Sequence, residues 1–303
     1  RRVLFRSARL HDLRRLRHLQ RRAATTESSA AFSIDATSAV EVIDAADLAA
    51  AQGAYTFIAG ALITLLVGGV VVARKLSGSF APWAWGGVAF VLSQAARLPV
   101  LTLVSALLIG SAAPEVGSAS WILSVVVASF TAGLFEEASR ALILSTAARR
   151  LRNESEGIAF GFGHAGIEAL IFTLLPSLAA IALLGGAADG SIYSNLPPGS
   201  SESLDTAVAF LSGQSFAVAA LAVVERLFAT VLHIVLTLMV LRAVQGAGGR
   251  GDLAARLVLP IALHTVANLS AVLFLPALGI VGAELLFAAV TIGAVAYYRR
   301  TRR

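Results

Sequence analysis

The sequence has no cysteine among its 303 residues and a single methionine. Without thiols there is no disulfide framework, no thiolate metal site and no cysteine nucleophile. Charge is scarce too: 14% of residues are Asp, Glu, Lys or Arg, whereas a soluble domain carries about a quarter to keep its surface solvated. In their place are apolar residues, 57% of the chain, with a mean hydropathy of +0.80. They run in blocks longer than the ~18 to 20 residues that span a bilayer core. A water-soluble enzyme, a nucleic-acid binder and a disulfide-stapled secreted domain are thereby excluded. The net charge of +6 does not revive a nucleic-acid partner, because nine of the 24 Lys and Arg residues crowd into the first 22 positions.

The heptapeptide RRVLFRS, Arg1 to Ser7, resembles the in-frame translation of a common sequencing adaptor and is set apart from the fold. Residues 8–52 read as a poorly ordered leader, basic as far as Arg22 and then acidic and rich in Ala, Ser and Thr. The fold itself is expected over residues 53–298, followed by a basic cytoplasmic tail, 299–303.

Helix-length apolar blocks cover Gly53 to Val72, Trp83 to Ile109, Ala119 to Ala147, Ile158 to Leu184, Phe216 to Leu241, Leu253 to Phe274 and Gly279 to Tyr298. The fold class that follows is an all-α polytopic membrane bundle of about seven transmembrane helices, with the lipid bilayer as its first partner. Loop charge alternates along the chain. Arg74 and Lys75, then Arg149, Arg150 and Arg152, then Arg242, Arg250 and Arg256, and finally the Arg-rich tail mark one side, while the intervening loops carry no Lys or Arg. By the positive-inside rule this predicts an N-out, C-in arrangement, with the 185–214 loop outside.

Ionisable groups inside a bilayer are costly, so each needs a partner and a reason. Three of the five histidines, His164, His233 and His264, fall inside the blocks, together with Glu136, Glu137, Arg140, Glu168, Glu225, Arg226 and Asn268. Glu136 and Arg140, His164 and Glu168, and His264 and Asn268 are four positions apart, which puts each pair on one helix face. Counted at ~1.5 Å per residue from the nearest basic flank, Glu137 and His164 lie roughly 18 Å deep, His233 about 14 Å and His264 about 12 Å. Four spans thus bring their polar groups to a common depth. Gly157, Gly161, Gly163 and Gly166 around His164 let a neighbouring helix come close. Arg97, between Gln94 and Pro99, reads as a structural partner at a helix break, and Glu284 as a residue near the outer surface.

Imidazoles with carboxylates are the ligand types of Zn2+, and a nearby glutamate that is not a ligand can take the proton of a bound water. Water attack on an amide is the natural use of such a set. No Asp lies inside any block, and neither an HExxH helix nor a convincing Ser and His nucleophilic pair is present.

The segments Glu136-Glu137-Ala-Ser-Arg140, Phe160-Gly-Phe-Gly-His164-Ala-Gly-Ile-Glu168, Glu225-Arg226 followed by His233, and His264-Thr-Val-Ala-Asn268 resemble, in order, the motifs of the YhfC-type intramembrane metalloproteases. That family is similar to the CAAX prenyl proteases and bacteriocin-processing enzymes, although Arg140 follows the Glu pair after two residues rather than three. The resemblance covers roughly residues 53–298. It implies an endopeptidase of the bacterial cytoplasmic membrane acting on a membrane-associated peptide or protein. Glu136, alone or with Glu137, would activate water, and His164 would bind that water or a zinc ion. His264 and Asn268 would bind metal or stabilise the oxyanion, while His233, Glu168 and Glu225 would complete the ligands or their supports. Arg140 would neutralise the Glu pair. The same His and Glu set also suits a divalent-metal transporter, or a membrane scaffold with an inactive site. A transporter should show midplane ligands, a polar path from both sides and often internal repeats, and no repeat is visible.

Overall fold

The computed structural model describes residues 44–110, 113–194 and 200–302; the adaptor-like heptapeptide and the leader up to residue 43 lie outside them. Among the described residues the architecture is all-α. Seven helices are long and apolar enough to cross a membrane: α1 (Ala45–Ser77), α2 (Ala81–Leu108), α3 (Ala119–Ser145), α4 (Glu154–Ala188), α6 (Phe216–Gly246), α7 (Arg250–Val272) and α8 (Leu275–Thr301). A short α5 (Ser201–Ser212) stands between α4 and α6.

Local sequence fixes the ends. Asp44 caps α1 by accepting from the Ala46 amide, and Gly78, at φ 69°, closes it by donating to the Arg74 carbonyl. Asn153 and Glu156 form a reciprocal capping box at the start of α4. Because of its cap, α1 begins before the apolar block that opens at Gly53. Leu48 and Ala51 pack on Leu184 and Val208, so residues 45–52 belong to the bundle rather than to the leader. The 185–214 connection likewise contains helix α5, whose Leu204, Val208 and Leu211 follow an i, i+4, i+7 stripe beneath a Ser-rich surface.

Helix α4 lies at the centre, packed against α1, α2 and α6, while α3 pairs with α7 and α8 closes against α6 and α7. Glycine sets these crossings. A Cβ on Gly163 would run into the Trp83 carbonyl of α2, and one on Gly86 into the Phe160 carbonyl of α4. Gly157 and Gly161, a small-xxx-small pair, seat against Leu238 and Ile234 of α6. On the other flank, a Cβ on Gly133 of α3 would stand 2.8 Å from the Ile261 carbonyl of α7. The backbones of α2, α3, α4, α6 and α7 are thus drawn in around the turns that carry the ionisable groups.

Pro176 cannot donate to the Phe172 carbonyl, and its ring crowds the preceding turn. The chain answers with a π turn, Leu170–Leu174, closed by the Leu175 amide on the Leu170 carbonyl. This wider turn falls two residues after Glu168 and shifts the phase of the remainder of α4. Leu107, Leu285, Val258 and Leu103 are 60% or more exposed. Such side chains on every flank fit a bundle solvated by acyl chains rather than water.

Candidate active site

Six ionisable side chains share one dry centre. Arg140, Glu137 and His164 are fully buried, and His264, Glu136 and His233 are at most 4% exposed. They come from α3, α4, α6 and α7, the four spans carrying the sequence motifs. The imidazoles stand in a row, with ring centroids 5.0 Å apart for His164 and His233 and 5.3 Å for His233 and His264. Phe90 of α2 closes one end with its ring edge-on to His164 at 5.2 Å.

The two adjacent glutamates have different surroundings. Glu136 Oε2 faces the ring row, 3.0 Å from His164 Nε2 and 3.7 Å from His264 Nε2, and its other oxygen accepts from Gln94 Nε2 at 3.3 Å. Glu137 is turned aside and held by Arg140, with His264 Nδ1 2.7 Å from the same oxygen. Arg140 NH2 also reaches His233 Nδ1 at 2.6 Å.

These contacts constrain where the imidazole protons sit. The Glu137 carboxylate accepts, so His264 carries its proton on Nδ1 and turns the Nε2 lone pair toward Glu136. A carboxylate orienting an imidazole in this way is the usual support of a ligating or proton-accepting histidine. A guanidinium can only donate, so His233 accepts at Nδ1 and its proton lies on Nε2. That nitrogen is 2.6 Å from Glu168 Oε2, but off the hydrogen-bond axis, leaving Glu168 Oε2 a buried acceptor with no aligned donor. Glu137 Oε2 and His164 Nδ1 are likewise buried and unpartnered, against one unpartnered donor in the cluster, Arg140 Nε.

An excess of buried acceptors costs about 1–3 kcal/mol for each one left unpaired, and a divalent cation relieves it. Glu136, His164, Glu168 and His233 each bring one ligand atom within 4.8 Å of the others. The donor set therefore fits a metal of the zinc type. Glu136 takes part in this grouping, whereas His264 stands beside it with its free Nε2. Ligation by His233 Nε2 would require the ring proton to move to Nδ1, where Arg140 now donates.

Glu168 also ties the centre to the remaining candidates from the sequence. Glu168 Oε1 accepts from Arg226 at 3.1 Å, and Arg226 is also paired with Glu225. Glu225 thus reaches the centre only through Arg226. Asn268, one turn beyond His264 on α7, is half-buried and makes no side-chain hydrogen bond among the described residues.

Sequence reasoning missed Gln94. Its Oε1 accepts from Arg97 NH1 at 3.1 Å, and Arg97 is itself held by the Ala128 carbonyl at 2.9 Å and by Thr131 Oγ1. The amide can therefore turn only its NH2 toward Glu136, and α2 becomes a fifth contributor to the site. The signal was present as an amide and a cation three positions apart inside an apolar block, but a neutral Gln attracts no attention in a search for charge.

A family model described as YhfC intramembrane metalloprotease matches residues 61–300, a stretch that includes all of these side chains. The chain belongs to that family. It is an integral membrane protein, and the family's description agrees with the buried His and Glu cluster suited to a metal. The chain is also 33% identical over 149 residues to the "Uncharacterized membrane protein YhfC" of Bacillus subtilis (strain 168), a match covering 47% of this chain and 54% of that protein. The matched region thus spans about half the length of the curated relative. No solved structure matches the chain.

Proposed function

We propose that this chain is an intramembrane endopeptidase that hydrolyses a peptide bond of a membrane-associated peptide or protein, with Glu136 as the general base. The observation that carries this reading is the position of Glu136: dry, facing two imidazole nitrogens with Oε2, and held by the Gln94 amide on Oε1. Glu136 Oε2 takes the proton of the attacking water and later passes it to the leaving amide nitrogen. Gln94, locked by Arg97, keeps the carboxylate aimed. Glu137 and Arg140 fix His264 in the tautomer whose Nε2 can accept. The unpartnered amide of Asn268 supplies a donor for the oxyanion.

His164 and Glu168, with His233 or the ready Nε2 of His264, would hold a zinc ion. Bound there, the ion would supply a Lewis acid for the hydrolysis. A second reading, a hydrolase using glutamate and histidine without metal, is favoured by the Arg140 donation to His233 Nδ1, which opposes ligation by that residue.

The reading includes an N-out, C-in orientation in a bacterial cytoplasmic membrane, supported by the alternation of loop charge. Reporter fusions after Arg303 and within residues 185–214 are expected to give opposite signals; like signals contradict the orientation. For the activity, Glu136→Gln in a protein that still accumulates in the membrane is expected to abolish cleavage of a transmembrane peptide. Near-normal cleavage by Glu136→Gln, Glu137→Gln and the double variant removes the glutamate pair from the chemistry.

A further inference from the structure

The basic end of the bundle holds a second feature, which shares no side chain with the buried cluster and is independent of any catalytic reading. Between α6, α7 and α8 lies a cleft of about 390 Å³ whose walls include Arg242, Arg256, Tyr297, Tyr298, Met239 and Leu259. We infer that this cleft binds the headgroup of an anionic phospholipid, with phosphate between Arg242 and Arg256 and the chain on the apolar side.

Three observations carry the inference. First, both guanidinium groups are anchored while keeping free donors. Arg242 gives NH2 to Glu154 and lies over the Tyr298 ring at 4.4 Å, and Tyr298 is itself fixed by its hydroxyl on Glu154 at 2.7 Å. Arg256 uses Nε on Asp252. This leaves NH1 and Nε of Arg242, and NH1 and NH2 of Arg256, without hydrogen-bond partners among the described residues, as is the Tyr297 hydroxyl. A phosphate is the acceptor whose geometry matches such paired forks.

Second, the lining is split by character. Met239, Leu259 and Pro260 form an apolar wall, while the arginines and tyrosines form a polar one. A soluble anion has no use for the first wall, and a neutral lipid has none for the second. Third, the cleft opens where headgroups are found. Tyr297 and Thr301 belong to the end of α8, where Arg299 and Arg300 in the last turn add positive charge. Basic pockets between spans at this level select anionic lipid. Glu154 and Asp252 offset part of the field, so selectivity comes from the unpaired N–H groups more than from net charge.

The test uses the full chain in detergent, titrated with dioleoyl-phosphatidylglycerol or dioleoyl-phosphatidylcholine and read by native mass spectrometry. The wild-type chain is expected to retain phosphatidylglycerol in preference to phosphatidylcholine. Arg256→Gln should weaken phosphatidylglycerol about fivefold, the worth of one arginine at an anionic surface, with phosphatidylcholine unchanged. Arg149→Gln with Arg150→Gln, exposed basic residues in the α3–α4 connection, should change neither. If Arg256→Gln does not accumulate, Arg256→Lys serves: it keeps the charge, loses the fork, and should weaken retention by a smaller factor. Equal retention of the two lipids overturns the inference. So does an Arg149 and Arg150 effect as large as that of Arg256, or displacement of phosphatidylglycerol by millimolar inorganic phosphate, which would mark a site for a soluble anion.

Discussion

Around Glu136 and Glu137 no ionisable side chain is more than 6% exposed, whereas Glu168, Arg226 and Glu225 keep 16% to 25% of their side chains open. Both groups consist of carboxylates with an arginine inside a membrane bundle, yet their physics differs. In the inner group the polar contacts run between its own members and Gln94, away from water, so a loss cannot be repaired by solvent. In the outer group partial exposure lets water or lipid headgroups take over some of what a missing partner supplied. The inner group is therefore where geometry can be held tightly enough for chemistry, and the outer one braces it through Glu168.

Substitutions can break or sharpen that contrast. The largest effect is expected from Glu136→Gln, His164→Ala and His264→Ala. Loss of a base or of a group held at the reacting water lowers rate by about 10²–10⁴, measured as single-turnover cleavage at equal membrane content. Gln94→Leu should fall short of these, because it removes only the donor that aims Glu136. Next comes stability. Arg140→Leu leaves Glu137 buried and unpaired, at a cost of about 3–5 kcal/mol, visible as lost accumulation or as denaturation at lower detergent stress. Arg226→Leu, the matching change in the outer group, should cost roughly 1–3 kcal/mol once partial solvation is allowed for. Equal losses for the two arginines would mean that burial does not separate the groups.

Of comparable size, Gly163→Ala forces α2 and α4 apart at the Trp83 carbonyl. An overpacking cost of about 1–3 kcal/mol is expected, with activity reduced through displacement of His164. Gly60→Ala, where a Cβ meets nothing within 4 Å, is the silent counterpart. Glu284→Gln, half-buried on α8 and outside both groups' hydrogen bonds, should stay within about 0.5 kcal/mol and leave cleavage unchanged. A large effect there would extend the functional region toward the outer end of the bundle.

Much of this was legible in the sequence because a bilayer leaves few alternatives. The seven apolar blocks could only be helices, since isolated strands cannot satisfy their backbone in lipid. The histidines and glutamates stood out because charge is so rare around them. What escaped had weaker local signals. Helix α5 has its apolar stripe diluted by Ser, Thr and acidic residues, and the early turns of α1 depend on a single Asp cap and on packing against residues far along the chain. The division of labour between Glu136 and Glu137 was beyond sequence reasoning, because adjacent residues on a helix point about 100° apart and only the positions of Gln94 and His264 decide which of them faces the imidazoles. Gln94 acquires its importance from Arg97 and from the crossing of α2 with α4, neither of which periodicity reveals.

The claim at the centre is that one dry cluster both holds a metal and hydrolyses a peptide bond. It is tested most directly by following zinc content and peptide cleavage together in the purified full chain as pH is lowered and then restored. Because only neutral imidazole is a ligand, zinc should be retained at neutral pH and lost as the medium is acidified, with cleavage falling in parallel. Returning apo protein to neutral pH with zinc should restore both. Cleavage that survives complete removal of metal at neutral pH, yet is abolished by Glu136→Gln, would contradict the metal half of the claim and favour the hydrolase without metal. Zinc flux across proteoliposomes with no cleavage of any peptide would contradict the hydrolytic half.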